Sequence, residues 1–242
     1  MTNLPKYDES GRLIKVGDDL RHIAFIMDGN GRWAKARGQN REEGHKEGAK
    51  AFEKIVEYCG QIGVQAITVY AFSTENWKRP EKEVSKIMSL LETYIDKLLE
   101  NSSKFDASVR FIGSREGLSK KLISKINEAE EATKSNPRTL NIALNYGSRE
   151  EITHAVNKLL SKGVNQVTED DIRKELYTSD CPDPDLIVRT AGEKRLSNFL
   201  LWQAAYSELY YTDTLWPDMN DQEVEKAVKE YYNRTRRYGG LV

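Results

Sequence analysis

The feature that most constrains this chain is a repeated exchange between short apolar runs and apolar residues spaced as on one face of a helix. His22–Met27 is a β-prone run. Phe52, Ile55, Val56 and Cys59 then fall at i, i+3, i+4 and i+7, a helical face closed by Gly60 and Gly63. Val64–Phe72 reads as a buried strand, and Val84, Ile87, Met88, Leu91, Ile95 and Leu98 trace a helix from Glu81 to Asn101. Strand Val109–Ile112, a helix marked by Leu122, Ile123 and Ile126, and strand Thr139–Asn145 follow. Ile152, Ala155, Val156 and Leu159 mark the next helix. Thr168, with Asp171 three residues on, reads as the cap of a short helix over Ile172–Leu176. Two prolines make Cys181-Pro-Asp-Pro a loop ahead of strand Asp185–Arg189. Glu208–Asp213 fits one more strand. Asn220 and Glu223 cap a last helix reaching about Arg236. Alternation of this kind predicts an α/β fold: a single domain, 21–242, with a central, mostly parallel sheet covered by helices on both faces. Residues 1–20 read as a polar tail.

Composition narrows the function classes. The chain carries 37 Lys+Arg against 38 Asp+Glu, a net charge of −1, so no bulk cationic excess draws it to nucleic acid. Its longest apolar run, Ile23–Met27, is far short of the roughly 18–20 residues that span a bilayer. The N-terminus shows no apolar signal core, and Cys59 and Cys181 are too few for a disulfide framework. A cytoplasmic protein is expected.

In open α/β sheets ligands gather beyond the carboxyl ends of the strands. Four strand ends here deliver small residues, hydrogen-bonding side chains and an arginine. They are Asp28-Gly29-Asn30-Gly31-Arg32-Trp33, Ser73 to Arg79, Asn145 to Arg149, and Arg189 to Asn198. Their convergence would make a site for a polyanionic small molecule, with phosphate the commonest such ligand. An EF-hand register on the first loop fails, because it would put Ile26 and Arg37 where carboxylates are needed. Walker and dinucleotide loops are also missing. Arg32, Arg41 and His45 close behind the glycines favour an anion there. Asp28 among these cations is explained by a bridging Mg²⁺ shared with a phosphate, or by a turn-capping role. Glu208 is a second metal candidate, and a surface glutamate at a strand edge is an equal reading. His45 fits an anion contact or proton relay, whereas His22 and His154 read as structural. The Arg234, Arg236, Arg237 cluster fits a basic helix end.

Five stretches carry a resemblance: Met27 to Ala34, Tyr70 to Pro80, Asn141 to Gly147, Arg189 to Gln203, and Leu215 to Asp218. Together they resemble the cis-prenyltransferases over about His22 to Gly240. The resemblance implies condensation of an allylic diphosphate, usually farnesyl diphosphate, with successive isopentenyl diphosphates, in bacteria to undecaprenyl diphosphate. It also implies Mg²⁺, a homodimer, transient membrane-surface contact for product release, and an apolar tunnel that Ala71, Leu140 and Ile142 would line. Carried over by motif, Asp28 is the catalytic aspartate and a metal ligand with Glu208. Gly29, Asn30, Gly31, Arg32, Trp33, Arg41 and His45 hold the allylic diphosphate. Arg189, Arg195 and Ser197 hold the isopentenyl diphosphate. Ser73, Asn76, Trp77 and Arg79 form a closing loop that helps proton removal. Lys194, where relatives can carry a histidine, stays outside the metal set, and Ala191 stands where glycine or serine is usual. The competing class is a non-catalytic prenyltransferase partner or lipid-binding scaffold.

Overall fold

A computed structural model describes residues 4–101 and 106–234. Eight strands and seven α-helices are assigned among them. Lys6–Tyr7 (β1) and Leu13–Lys15 (β2) form an antiparallel pair. Six further strands make one sheet: His22–Ile26 (β3), Ala66–Ser73 (β4), Ala107–Ile112 (β5), Arg138–Tyr146 (β6), Leu186–Arg189 (β7) and Glu208–Tyr211 (β8). Their order is β5-β6-β4-β3-β7-β8. The helices are Asn30–Ala36 (α1), Arg41–Gln61 (α2), Glu81–Glu100 (α3), Lys120–Thr133 (α4), Ser148–Ser161 (α5), Glu169–Glu175 (α6) and Asp221–Asn233 (α7). The α/β architecture expected from the alternation is therefore present.

Two compact units share the chain. The first takes its described residues from Met1–Ile67, Pro184–Arg195 and Ala204–Val242; the second takes them from Thr68–Asp183 and Leu196–Gln203. In the first unit β3 pairs in parallel with β7, and β7 with β8. All five residues of β3 and all four of β7 are buried, which is why they read as continuous apolar runs rather than alternating ones. Phe25 packs against Trp216, ring centroids 5.9 Å apart. Residues 1–20 include β1, β2 and the buried Leu13, Val16 and Leu20. Tyr232 Oη accepts from Gly17 N–H at 2.7 Å, and Tyr231 Oη donates to the Asp19 carbonyl at 2.8 Å, so this stretch is tied to α7.

In the second unit β5 pairs in parallel with β6. Tyr146, Phe199, Phe72 and Leu122 are among its fully buried side chains. Tyr70 stacks on Phe199 at 4.5 Å, and Tyr146 meets Phe199 edge-on at 6.1 Å. Buried Glu151 accepts from the Tyr146 hydroxyl, from Tyr177 N–H at 2.9 Å and from Gln203 Nε2 at 3.2 Å. Burial raises the Glu151 pKa above its ordinary value, against the opposing pull of those donors.

Caps stop and start the helices as the side chains require. Thr168 and Asp171 form a reciprocal capping box, Asn220 accepts from Glu223 N–H at 3.1 Å, and Asn40 does the same for Glu43 at 3.1 Å. Neither cysteine is in a disulfide, and burial pushes the Cys181 thiol up to about 11. Among the described residues no helix is long and apolar enough to cross a membrane.

Candidate active site

In the first unit the ends of β3 and β7 bring Asp28 and Arg189 together. Parallel pairing places Ile26 opposite Arg189, so the two loops leave the sheet side by side. Arg189, with only 5% of its side chain exposed, donates Nη2–H to Asp28 Oδ2 at 2.9 Å. Its Nη1 donates to the Arg195 carbonyl, which ties the start of the arginine-rich loop to its middle. Arg32 Nη2 lies 3.4 Å from Asp28 Oδ1, and its Nη1 donates to the Ala191 carbonyl at 2.8 Å. The Asp28 carboxylate is thus gripped on both oxygens. Glu193, which received no role from the sequence, pairs with Arg195 and lies 4.0 Å from Arg32.

The backbone of the Asp28 turn is fixed just as closely. Thr190 Oγ1 accepts from Asp28 N–H at 2.9 Å and donates to the Asp28 carbonyl at 2.6 Å. Trp216 N–H donates to the same carbonyl at 3.0 Å. Gly29 precedes α1 with φ +107, and a Cβ there would meet Leu215 Cδ2 at 2.9 Å and Ala191 Cβ at 3.0 Å. Only glycine suits both the backbone and the space.

Other members of the expected diphosphate set have structural occupations. The Arg41 guanidinium lies over Gly31, where a Cβ would stand 3.2 Å from Nε. A Cβ on Gly44 would overlap the Asn30 carbonyl, and one on Gly48 would overlap Asn30 Oδ1. The two glycines flanking His45 therefore admit Asn30 to the surface of α2, and His45 shares that helix. Trp33 donates Nε1–H to Asp218 Oδ1 at 2.6 Å, with the Arg37 guanidinium 4.1 Å from its ring centre. Glu208 pairs with Arg234 at 2.8 Å. The remainder of the expected C-terminal arginine motif, beyond Arg234, lies outside the described residues.

In the second unit the ends of β4 and β6 meet. Ser73 caps the 3₁₀ turn Thr74–Lys78, and its N–H donates to Asn76 Oδ1 at 3.2 Å. Trp77 donates Nε1–H to Asn145 Oδ1 at 2.7 Å, and Arg79 pairs with Glu83 at 3.2 Å. Burial pulls the Glu75 carboxyl upward. Hydrogen bonds from its own backbone, Asn198, Ser73 and Thr74 outweigh that and hold it below its ordinary value. Ser197, Asn198 and Leu200 have φ of +52, +63 and +46, and Ala191 has +70, so the loop after β7 concentrates left-handed backbone. Tyr70 Oη, 3.5 Å from the Ser197 carbonyl, and Asn198 Nδ2, 3.0 Å from Glu75 Oε1, hold its later part.

The donor set bounds the metal chemistry. Among the described residues no three His, Cys, Asp or Glu side chains gather into a ready-made cage. Asp28, about one-third exposed, offers carboxylate oxygens beside guanidinium groups. That suits a hard divalent ion completed by a ligand's own oxygens.

Residues 26–239 match the family model for undecaprenyl diphosphate synthase. The chain belongs to that family. It is 54% identical to an isoprenyl transferase of Fusobacterium nucleatum, over 91% of this chain and 96% of the relative. It is 48% identical to one of Thermotoga maritima, over 92% and 97%. Two solved structures are similar. A probable undecaprenyl diphosphate synthase of Campylobacter jejuni has TM-score 0.77 and 36% identity, covering 91% of this chain and 98% of that one. Lavandulyl diphosphate synthase from Lavandula x intermedia, in complex with dimethylallyl diphosphate, has TM-score 0.85 and 33% identity, covering 90% and 98%. The resemblance to cis-prenyltransferases is thereby established, and the enzyme class is prenyltransferase.

Thr190, Leu215, Asp218 and Asn145 hold the loops but were assigned no role from sequence. Each contacts a partner far away along the chain. All four lie inside the stretches that carry the family resemblance, and Thr190 and Asn145 also fall in the loops that follow strands.

Proposed function

We propose that this family member joins an allylic diphosphate, farnesyl diphosphate, to successive isopentenyl diphosphates to make undecaprenyl diphosphate, a lipid carrier precursor for cell-wall polysaccharide. The observation carrying this reading is the double grip of Arg189 and Arg32 on Asp28 at the ends of β3 and β7. A carboxylate held between guanidinium groups is a site that an entering diphosphate reorganises, because its oxygens compete for the same N–H donors.

In this reading Arg32 and Arg41 neutralise the allylic diphosphate, with Gly29, Asn30, Gly31, Trp33 and His45 shaping its seat. Arg189, Arg195 and Ser197 hold the isopentenyl diphosphate. Asp28, with Glu208 once it leaves Arg234, would hold Mg²⁺. The ion would stabilise charge growing on the departing diphosphate. Ser73, Asn76, Trp77 and Arg79 form the loop that closes over the substrates and helps removal of the proton lost as the new double bond forms. Apolar walls including Ala71, Leu140 and Ile142 exclude water from the cationic carbon and receive the growing chain. The enzyme works in the cytoplasm as a homodimer, touching a membrane surface when product leaves.

Incubation with Mg²⁺, farnesyl diphosphate and labelled isopentenyl diphosphate, followed by sizing of the products, tests this. A product of eleven isoprene units supports it. A single condensation would overturn the chain-elongation reading, and no turnover would favour a non-catalytic partner or lipid-binding scaffold. Sedimentation of the purified protein tests the dimer.

A further inference from the structure

Asn145, the last residue but one of β6, has φ +50 and is 5% exposed. Its side chain makes three hydrogen bonds at once. Oδ1 accepts from Trp77 Nε1–H at 2.7 Å, and Nδ2 donates to the Ser114 carbonyl at 3.0 Å and the Glu116 carbonyl at 2.9 Å. An indole N–H only donates and carbonyls only accept, so the amide orientation is fixed by its neighbours. No other side chain of this size offers one acceptor and two donors in this fork. The backbone repeats the tie, since Ser114 N–H donates to the Asn145 carbonyl at 3.2 Å. The Trp77 ring meets the Phe72 edge at 5.2 Å, and a Cβ on Gly117 would stand 3.8 Å from it. Trp77 lies in the 3₁₀ turn Thr74–Lys78, between Asn76 and Arg79.

We infer that Asn145 is a positioning residue for the prenyl transfer: by holding the Trp77 indole it sets the turn that presents Ser73 and Asn76. The inference rests on the functional reading above for those two side chains. It assigns Asn145 no contact with substrate. Asparagine is among the non-glycine residues that enter left-handed backbone most readily, and here its side chain spends both donors on one loop and its acceptor on the turn.

Asn145→Gly separates the two contributions, because it relieves the backbone and deletes the tie. Trp77→Phe keeps a ring and removes the N–H. In Asn145→Gly, hydrogen exchange of the Trp77 indole N–H, assigned with the Trp77→Phe protein, should quicken by at least tenfold. Turnover should fall about ten- to a hundredfold, the scale of a slight misplacement of reacting groups, while KM for the allylic diphosphate stays within about twofold. The double variant should be no slower than the worse single one. Unchanged indole exchange would overturn the tie. Faster exchange with normal turnover, or losses that multiply in the double variant, would overturn the positioning role. A wild-type protein without prenyl transfer would overturn the functional reading instead, leaving the exchange rates to judge the tie by themselves.

Discussion

Arg189 Nη2 stands 2.9 Å from Asp28 Oδ2, joining the last residue of β7 to the second residue beyond β3. A cation arriving alone meets a carboxylate that already has a partner. A diphosphate that engages either Arg32 or Arg189 loosens one side of that grip, so metal and diphosphate should bind with positive coupling. Calorimetry of Mg²⁺ with and without inorganic pyrophosphate should show at least about fivefold tighter metal binding in its presence. Asp28→Ala should abolish that coupling and lower turnover by about two to four orders of magnitude. Near-normal turnover of a folded Asp28→Ala protein would remove Asp28 from the chemistry.

Arg195 pairs with Glu193, and its carbonyl holds Arg189. Truncation to alanine keeps the carbonyl and removes the side chain beyond Cβ, the guanidinium with it. Steady-state kinetics of Arg195→Ala should therefore show KM rising more for isopentenyl diphosphate than for the allylic substrate. Equal increases would contradict separate anion seats.

Ala191 is held at φ +70, a conformation costing an L-residue about 1 kcal/mol. Its N–H donates to the Thr214 carbonyl at 2.8 Å, and its carbonyl accepts from Arg32, so the backbone cannot relax. Ala191→Gly should stabilise the protein by about 0.5 kcal/mol after the greater freedom of glycine in the unfolded chain is counted. A thermal melt should show a gain of about 1–2 °C. A lower Tm would mean that contacts of the methyl group outweigh the backbone strain.

The folded-state pKa of Glu151 is raised, so the native protein binds this proton more tightly than the unfolded chain does. Stability from this group is greatest below the unfolded value of about 4.3 and declines as pH rises towards the folded value. Glu151→Gln removes the titration. The Tm difference, wild type minus variant, should fall between about pH 4 and the raised pKa and then level off. A difference independent of pH would show that Glu151 is not so perturbed.

The legible parts of the fold were those with an apolar signature. β3, β5, β6 and β7 are buried on both faces, and Thr168 and Asn220 announce their helices by side-chain chemistry. α1 begins at Asn30, inside the loop expected over Asp28 to Trp33, because Gly29 and Gly31 mask its start, and Gly44 and Gly48 hide the beginning of α2. β1 and β2, two and three residues long, lie below the length at which any period can be seen. The site divides similarly. Asp28, Arg32 and Arg189 stood out because unlike charges after apolar strands need a reason. Thr190 and Asn145 did not, because neutral side chains reveal their role only through partners distant along the chain.

Gly44 and Gly48 leave a slot on α2 into which Asn30 fits without room for a methyl group. In a saturation library scored for turnover, both positions should tolerate nothing, like residues that handle substrate. Scored instead for expression, they should separate from Asp28, since adding a side chain pushes Asn30 off α2 whereas removing the Asp28 carboxylate inserts no atoms into that slot. Intolerance in the first screen and its difference from the second would distinguish the residues that carry the chemistry from those that give it a place to stand.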